Sequence, residues 1–275
     1  MLEQIAKEIR KDVMLTAYRG NTGHLASAFS AVEIMTVLYF AGIIQYDRSN
    51  PDWEDRDKLI VSKGHASLVL YSVLKKIGYL SQEQLDTYCQ PGSFLGGEPK
   101  YGDIPGVEAT TGSLGHGLSF AVGVAVASAL DQKKSRIYVL LGDGECQEGS
   151  VWEAALSAAQ YKLGNLTVIL DRNQLQAMGN TEDILALSPL AGKWRSFGWK
   201  VNEVDGHNIE ELAQVLAEDR ETELAQPRIV IAHTIKGKGV SFMENIPIWH
   251  YRMPNALEME IVKQELDITE KELHQ

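Results

Sequence analysis

The chain has 275 residues, 44% of them hydrophobic and 23% charged, with 26 lysines and arginines against 37 acids for a net charge of −11. This is the composition of an ordinary globular α/β protein, and its acidity argues against a broad nucleic-acid footprint, so an anionic ligand would need local positive charge. No segment approaches the ~20 apolar residues of a membrane span.

At the amino terminus Leu2, Ile5, Ile9 and Val13 recur at helical spacing with acids between them, unlike the continuous apolar stretch of a signal peptide. A cytoplasmic protein is the expectation. Helical periodicity covers 2–18, 30–41 and 65–77, and the loops TGHLAS and VSKGHAS fall between or before these helices, each with one histidine. Residues 91–117 are glycine-rich, carry three prolines and suit no regular element. Long loops inside compact domains are usually functional. Cys89 and Cys146 lie in different segments without metal-ligand spacing and read as reduced thiols.

From Leu118 a helix of small residues leads to RIYVLLGDGE, an apolar run that reads as a strand buried on both faces. The helix VWEAALSAAQYKL and a second buried strand, NLTVILDRN, follow. WKVNEV, the helix IEELAQVLAED and PRIVIAHT repeat the pattern, and NALEMEIVKQELDI closes the chain as an amphipathic helix. The expected fold is α/β: an open, mainly parallel sheet with helices on both faces and right-handed crossovers. No linker divides the chain convincingly, so residues 1–275 are expected to form one domain.

In such sheets ligands bind outside the carboxyl ends of the strands. Asp143 ends one strand and Asn173 the next, about one β-α-β unit apart. A buried carboxylate needs a cation, a salt bridge or water to offset its charge. Two oxygen donors flanked by Gly142 and Gly144 suit a hard cation such as Mg²⁺, which keeps positions open for phosphate oxygens, and the helix beginning near Gly149 offers N–H groups to an anion. Gly-Asp-Gly alone is as readily a turn and Asn173 a local cap. The register of strand, helix, strand and Asn is what favours the cation.

With these residues in view, the chain resembles the thiamine-diphosphate enzymes, whose signature is GDG followed by a distant Asn, and more narrowly the amino-terminal half of transketolase. The resemblance rests on TGH (22–24), SKGHAS (62–67), PGVEATTGSLGHG (105–117), GDGECQEG (142–149), KLGNLTVILDRNQLQ (162–176), DGHN (205–208), TIKGKG (234–239) and WH (249–250). It implies the diphosphate-binding (PP-type) fold, with thiamine diphosphate and Mg²⁺ as cofactors and Ca²⁺ or Mn²⁺ as alternatives. Asp143, Asn173 and the carbonyl of Leu175 would hold the metal. Gly142, Gly144, Glu145, Ala177 and Lys236 would bind the cofactor, Gly144 meeting the diphosphate through its N–H, with Gly112, Ser113 and Leu114 around the ring. His24, His65 and His250 would take part in catalysis: His65 and His250 would touch the cofactor, His250 also the substrate, and His24 would sit beside the reacting sugar carbon. Glu148 would lie at the contact between two cofactor-binding domains.

Of the other histidines, His116 belongs to the ring-binding loop, His207 reads as a loop tie, His233 as the end of a buried strand and His274 as tail. Lys236 and Lys238 could both lend positive charge to a diphosphate, although a solvated lysine is the commoner case. Two positions depart from the family pattern: Gly97-Glu98-Pro99 stands where Gly-His-Pro is usual, and Trp249-His250-Tyr251 where Trp-His-Gly is usual. Glu98 would then replace a donor-contacting imidazole, and an unusual donor such as a branched ketose phosphate becomes an expectation.

The family's pyrimidine-binding domain, with its ring-bonding glutamate, is not in this sequence. The resemblance therefore implies a two-component transketolase: a separate chain supplies that domain, as the partner in an α2β2 assembly acting on sugar phosphates, without nucleic acid or membrane. The alternatives are the α subunit of a 2-oxo-acid dehydrogenase or decarboxylase, against which GSLGHG and TIKGKG speak, and a non-catalytic regulator. A nicotinamide oxidoreductase would show G-x-G-x-x-G after its first strand, and none is present.

Overall fold

The computed structural model describes residues 1–102, 104–221 and 225–273, so His274 lies outside the described residues. Three helices, α1 (Leu2–Gly20), α2 (Leu25–Phe29) and α3 (Val32–Phe40), precede the strand β1 (Lys58–Val61). After α4 (Ser67–Ile77) and α5 (Gln82–Leu85), a long loop reaches α6 (His116–Leu130) and β2 (Ile137–Gly142). Then come α7 (Gly149–Gln160), β3 (Leu166–Arg172), α8 (Thr181–Ile184), α9 (Leu190–Ser196), β4 (Lys200–Asp205), α10 (Ile209–Glu221), β5 (Arg228–His233), α11 (Ala256–Glu265) and α12 (Glu270–Leu273). The five strands form one sheet in the order β1-β2-β3-β5-β4, every neighbouring pair parallel. The expected open α/β sheet is the one observed.

Alternation along each strand divides the core in two. Tyr138 and Leu140 of β2 pack with α1, α3 and α4, while Val139 and Leu141 pack with α6, α7 and α9. Because helices cover both faces, the inner strands β2, β3 and β5 are buried almost throughout and read as continuous apolar runs. The edge strand β4 keeps most of its residues partly in solvent, which is why WKVNEV carries charge. Chain order reverses at β5, inserted between β3 and β4, so the tips of β2, β3 and β5 face a common crevice.

Several elements differ from the expectation, and the short helices α5, α8, α9 and α12 have no counterpart in it. The strand β1 has no signature in the sequence: four residues after the charged run DWEDRD show no readable period. The helix expected over 30–41 is α3, but a further helix, α2, precedes it and takes in the Leu-Ala-Ser of TGHLAS; all five of its residues are buried, which leaves no polar face to mark it. The helix expected from Leu118 starts at His116, with Gly115 before it at φ 85°.

Candidate functional site

The register of β2 against β3 pairs Gly142 with Asp171, so Asp143 and Asn173 each follow the end of their strand by one residue. Both side chains are buried and face one cavity, which Gly142, Gly144, Glu145, Leu175 and Ala177 also line. Asp143 Oδ1 accepts the Gly144 N–H at 2.7 Å and Oδ2 the Gln174 N–H at 2.6 Å. The Asn173 carbonyl oxygen accepts the Leu175 N–H at 3.1 Å. Neither residue is matched by a cation of its own. Burial, then the charge of Asp171, pushes the Asp143 carboxyl up to about 6 despite those two N–H donors.

The cavity's donors and acceptors suit a metal and a diphosphate. The buried Lys236 ammonium donates to the Leu175 carbonyl at 2.8 Å, so a positive group already uses the oxygen that the resemblance assigns to the metal. Gln176 Nε2 and Ser27 Oγ, both on residues lining the cavity, are buried without a hydrogen-bond partner, which leaves polar atoms free for an anionic ligand. Lys63 adds a second buried ammonium to the lining. Carboxylate, amide and carbonyl oxygens beside unspent donors are the set that Mg²⁺ and a pyrophosphate need. A Cβ at Gly144 would stand 3.0 Å from Cγ of the Gln176 side chain, which would have to give way by a few tenths of an ångström to admit it.

His65 and His250 line one end of this cavity, and His24 packs against both. The His24 ring lies 5.3 Å from those of His65 and His250, and these two are 5.6 Å apart. Lys236 Nζ donates to His250 Nδ1 at 2.8 Å, which leaves the proton of that ring on Nε2. Burial, followed by the charges of Lys236 and Lys63, holds His24 down at about 4. Burial, with Lys236 next, takes His250 to about 3, and His65 also lies well below its ordinary value, chiefly through burial. All three are neutral at pH 7 and able to accept or relay a proton.

Close backbone contact sets His65 against the glycine-rich loop. A Cβ at Gly64 would stand 2.7 Å from Gly112 N, and Thr111 Oγ1 donates to the Val61 carbonyl at 2.8 Å. Leu114 of that loop lines the cavity, whereas Gly112 and the exposed Ser113 do not. Glu145 acts as a clamp: its buried carboxylate accepts from Ser62 Oγ at 2.5 Å, Gly115 N–H at 2.9 Å and Gly142 N–H at 3.1 Å, joining the end of β1, the loop and β2. Glu98 is exposed, with its carboxylate over the backbone of Gly112 and away from the cavity lining. Glu148 is exposed at the start of α7, and His116 is exposed with Nδ1 3.2 Å from the Leu114 carbonyl.

Outside the cavity, His207 ties loops together: the Ile235 N–H donates to its Nε2 at 2.8 Å, so its Nδ1–H donates to Glu33 at 2.9 Å. His233 ends β5, and Lys238 stays apart from the cavity, 3.7 Å from Glu244. Lys236, by contrast, is not a solvated lysine. Sequence reasoning missed Ser27, Lys63 and Gln176 in the lining and Asp171 beneath it. Asp171 is fully buried, 2.5 Å from Lys63 Nζ and 2.6 Å from Ser30 Oγ, and also accepts from Thr234 Oγ1. An acid within the apolar run ILDRN was the available signal.

Residues 2–273 match the family model described as transketolase, thiamine diphosphate binding domain. The chain belongs to the transketolase family. It is 45% identical over 266 residues to an apulose-4-phosphate transketolase subunit of Actinobacillus succinogenes, covering 96% of this chain and 95% of that one. The protein of the same name from Phocaeicola vulgatus is 40% identical over 259 residues, or 94% and 91% of the two chains. Among solved structures, transketolase from Leishmania mexicana superposes with a TM-score of 0.90 at 27% identity, covering all of this chain and 43% of that one. This transketolase-family chain thus matches nearly the whole length of proteins named as subunits and less than half of a larger enzyme.

Proposed function

We propose that this chain is the cofactor-binding component of a two-component transketolase, active with a separate chain that carries the pyrimidine-binding domain. The observation that carries the reading is the convergence of Asp143 and Asn173, from neighbouring strand tips, on a cavity shared with Leu175 and bordered by His65 and His250, with His24 packed against both. The near full-length likeness to relatives named as one subunit of a transketolase supports the division between chains.

In this reading Asp143, Asn173 and the Leu175 carbonyl hold Mg²⁺, with Ca²⁺ or Mn²⁺ able to replace it. The Gly144 N–H, Gln176 and Lys63 receive the diphosphate, and Leu114 packs against the ring. Thiamine diphosphate, when bound, supplies the nucleophilic carbon that takes a two-carbon ketol unit from a ketose phosphate and passes it to an aldose. His24, His65 and His250 are the protein's part: neutral imidazoles that hold the sugar hydroxyls and move protons at them. The donor is a branched ketose phosphate, in keeping with the apulose 4-phosphate of the relatives' names, and the assembly is α2β2 in the cytoplasm. No described helix is long and apolar enough to cross a membrane.

The test is co-expression with the protein encoded beside it. Calorimetry should show thiamine diphosphate binding that requires Mg²⁺, and ketol transfer should appear with the assembly and be absent from the lone chain. Appreciable turnover by the lone chain refutes the division of labour.

A further inference from the structure

We infer that Tyr251 is a specificity-determining residue for the donor: a ring braced over His24 that shortens the space open to a ketose phosphate. The inference rests on the functional reading above. Tyr251 is 62% exposed, yet its ring is held at both ends. The backbone belongs to the 3-10 turn Pro247–Tyr251, and the hydroxyl lies 2.8 Å from Thr22 Oγ1 in the loop between α1 and α2. Its centroid is 4.7 Å from that of His24, at an interplanar angle of 47°.

His24 in turn touches His65 and His250, so the order from solvent inward is Tyr251, His24, then the cavity. A donor whose carbonyl lies at the histidines must extend outward past the tyrosine ring. Arg252 is the cation in the pocket beside the ring, with Asn21, Gly23 and Met253, but its guanidinium lies 4.1 Å from the Trp249 ring centroid and bonds both oxygens of Glu258 at 2.7 and 3.0 Å, so its charge is already matched. Excluded volume is therefore the means of selection.

A fixed wall penalises an extra carbon because either the substrate or the wall must shift, and sites discriminate a single methylene by about 10- to 200-fold. A ketose 4-phosphate has two carbons between carbonyl and phosphate ester, a 5-phosphate three. Tyr251 favours the shorter donor, and the Thr22 tether keeps the ring from swinging aside.

The experiment compares kcat/KM of the co-purified assembly for a branched ketose 4-phosphate and a straight-chain pentulose 5-phosphate. Tyr251→Gly is expected to move the ratio toward the 5-phosphate by about tenfold or more. Tyr251→Phe and Thr22→Val, which keep the ring and cut the tether, should move it in the same direction by a few-fold. A second readout needs no turnover: modification of His24 by diethylpyrocarbonate in the isolated chain, followed by mass spectrometry, should quicken several-fold in Tyr251→Gly. An equal loss of kcat/KM for both donors overturns the inference, as does an unchanged modification rate. Absence of turnover by the wild-type assembly with every ketose phosphate overturns the functional reading and the donor-length claim together, while the modification rate still decides whether the ring screens His24.

Discussion

Asp143 and Asp171 end neighbouring strands, both buried, and their surroundings are opposite. Asp171 is surrounded by Lys63, Ser30 and Thr234, and these partners hold its carboxyl below the usual range against the pull of burial. Asp143 has two backbone N–H donors and no cation, and its carboxyl is pushed upward. One carboxylate is spent on the fold and the other is left with capacity for a ligand. Burial of an acid does not by itself mark a site; the charge left unmatched after counting its partners does.

The largest expected effects come from removing each acid in turn. Asp171→Ala leaves the Lys63 ammonium buried without a counter-charge, which costs about 3–5 kcal/mol in urea unfolding of the isolated chain. Asp143→Ala should lower the urea midpoint less than Asp171→Ala does, because it removes a charge that burial disfavours and strands only the Gly144 and Gln174 N–H groups. It should also weaken Mg²⁺-dependent thiamine diphosphate binding by at least about 100-fold in calorimetry, since even partners outside the first coordination sphere of a metal contribute 10- to 100-fold. If the two variants exchange behaviour, the division between fold and ligand is wrong.

Metal removal tests the same division from the ligand side. EDTA should abolish calorimetric binding of thiamine diphosphate, and Mg²⁺, Ca²⁺ or Mn²⁺ should restore it. Because the metal would bind only the folded chain, saturating cofactor and Mg²⁺ should raise the unfolding temperature of the wild type and of Asp171→Ala, with no rise in Asp143→Ala. A rise in Asp143→Ala equal to the wild type's would remove that residue from the ligand set.

Titration separates the two regions by pH. His24, at about 4, and His250, at about 3, lie below the 6.5 of an exposed imidazole, with His65 also lowered, so the unfolded chain binds protons that the folded chain refuses. Their contribution to stability is fully present above about pH 6.5 and is lost as pH falls from there toward 4. Asp171, whose carboxyl is lowered, loses its contribution only as pH falls below 3.8. Asp143, raised to about 6, works the other way in the same range, but against three lowered histidines it leaves the wild-type urea midpoint declining from pH 7.5 to 4.5, and less steeply in His24→Asn. Equal slopes would show that His24 is protonated as readily in the fold as in solvent.

Sequence alone reached the strand tips because a parallel β-α-β unit is local: Gly-Asp-Gly, a helix and a second strand ending in Asn lie within one crossover. The same locality revealed β2, β3 and β5, buried on both faces. It failed where partners are remote. Lys63, Asp171, Ser30 and Thr234 come from four separate segments, and nothing near any one of them announces the others. Composition makes solvent the default for Lys236, but the loop after β5 carries it onto the Leu175 carbonyl, 61 residues away in sequence. The strand β1 and the helix α2 escaped for a different reason, since four residues and five wholly buried ones leave no period to read.

The smallest expected effect concerns Glu98, the other acid that the sequence set at the substrate. It is exposed over Gly112, on the loop that delivers Leu114, and does not line the cavity. A carboxylate in water acts on a sugar phosphate through a screened field, and a substitution there should leave stability within about 0.5 kcal/mol. Glu98→His removes a negative charge near an anionic donor, so it should improve kcat/KM for ketose phosphates by a few-fold and change the preference among them less than Tyr251→Gly does. The measurement is the donor profile of the assembly at low salt and again at high salt, roughly 0.5 M, where the screening length is only a few ångströms. An electrostatic contribution fades as salt rises, whereas a direct contact with the sugar survives it, and a profile that does not move at either salt removes Glu98 from substrate choice.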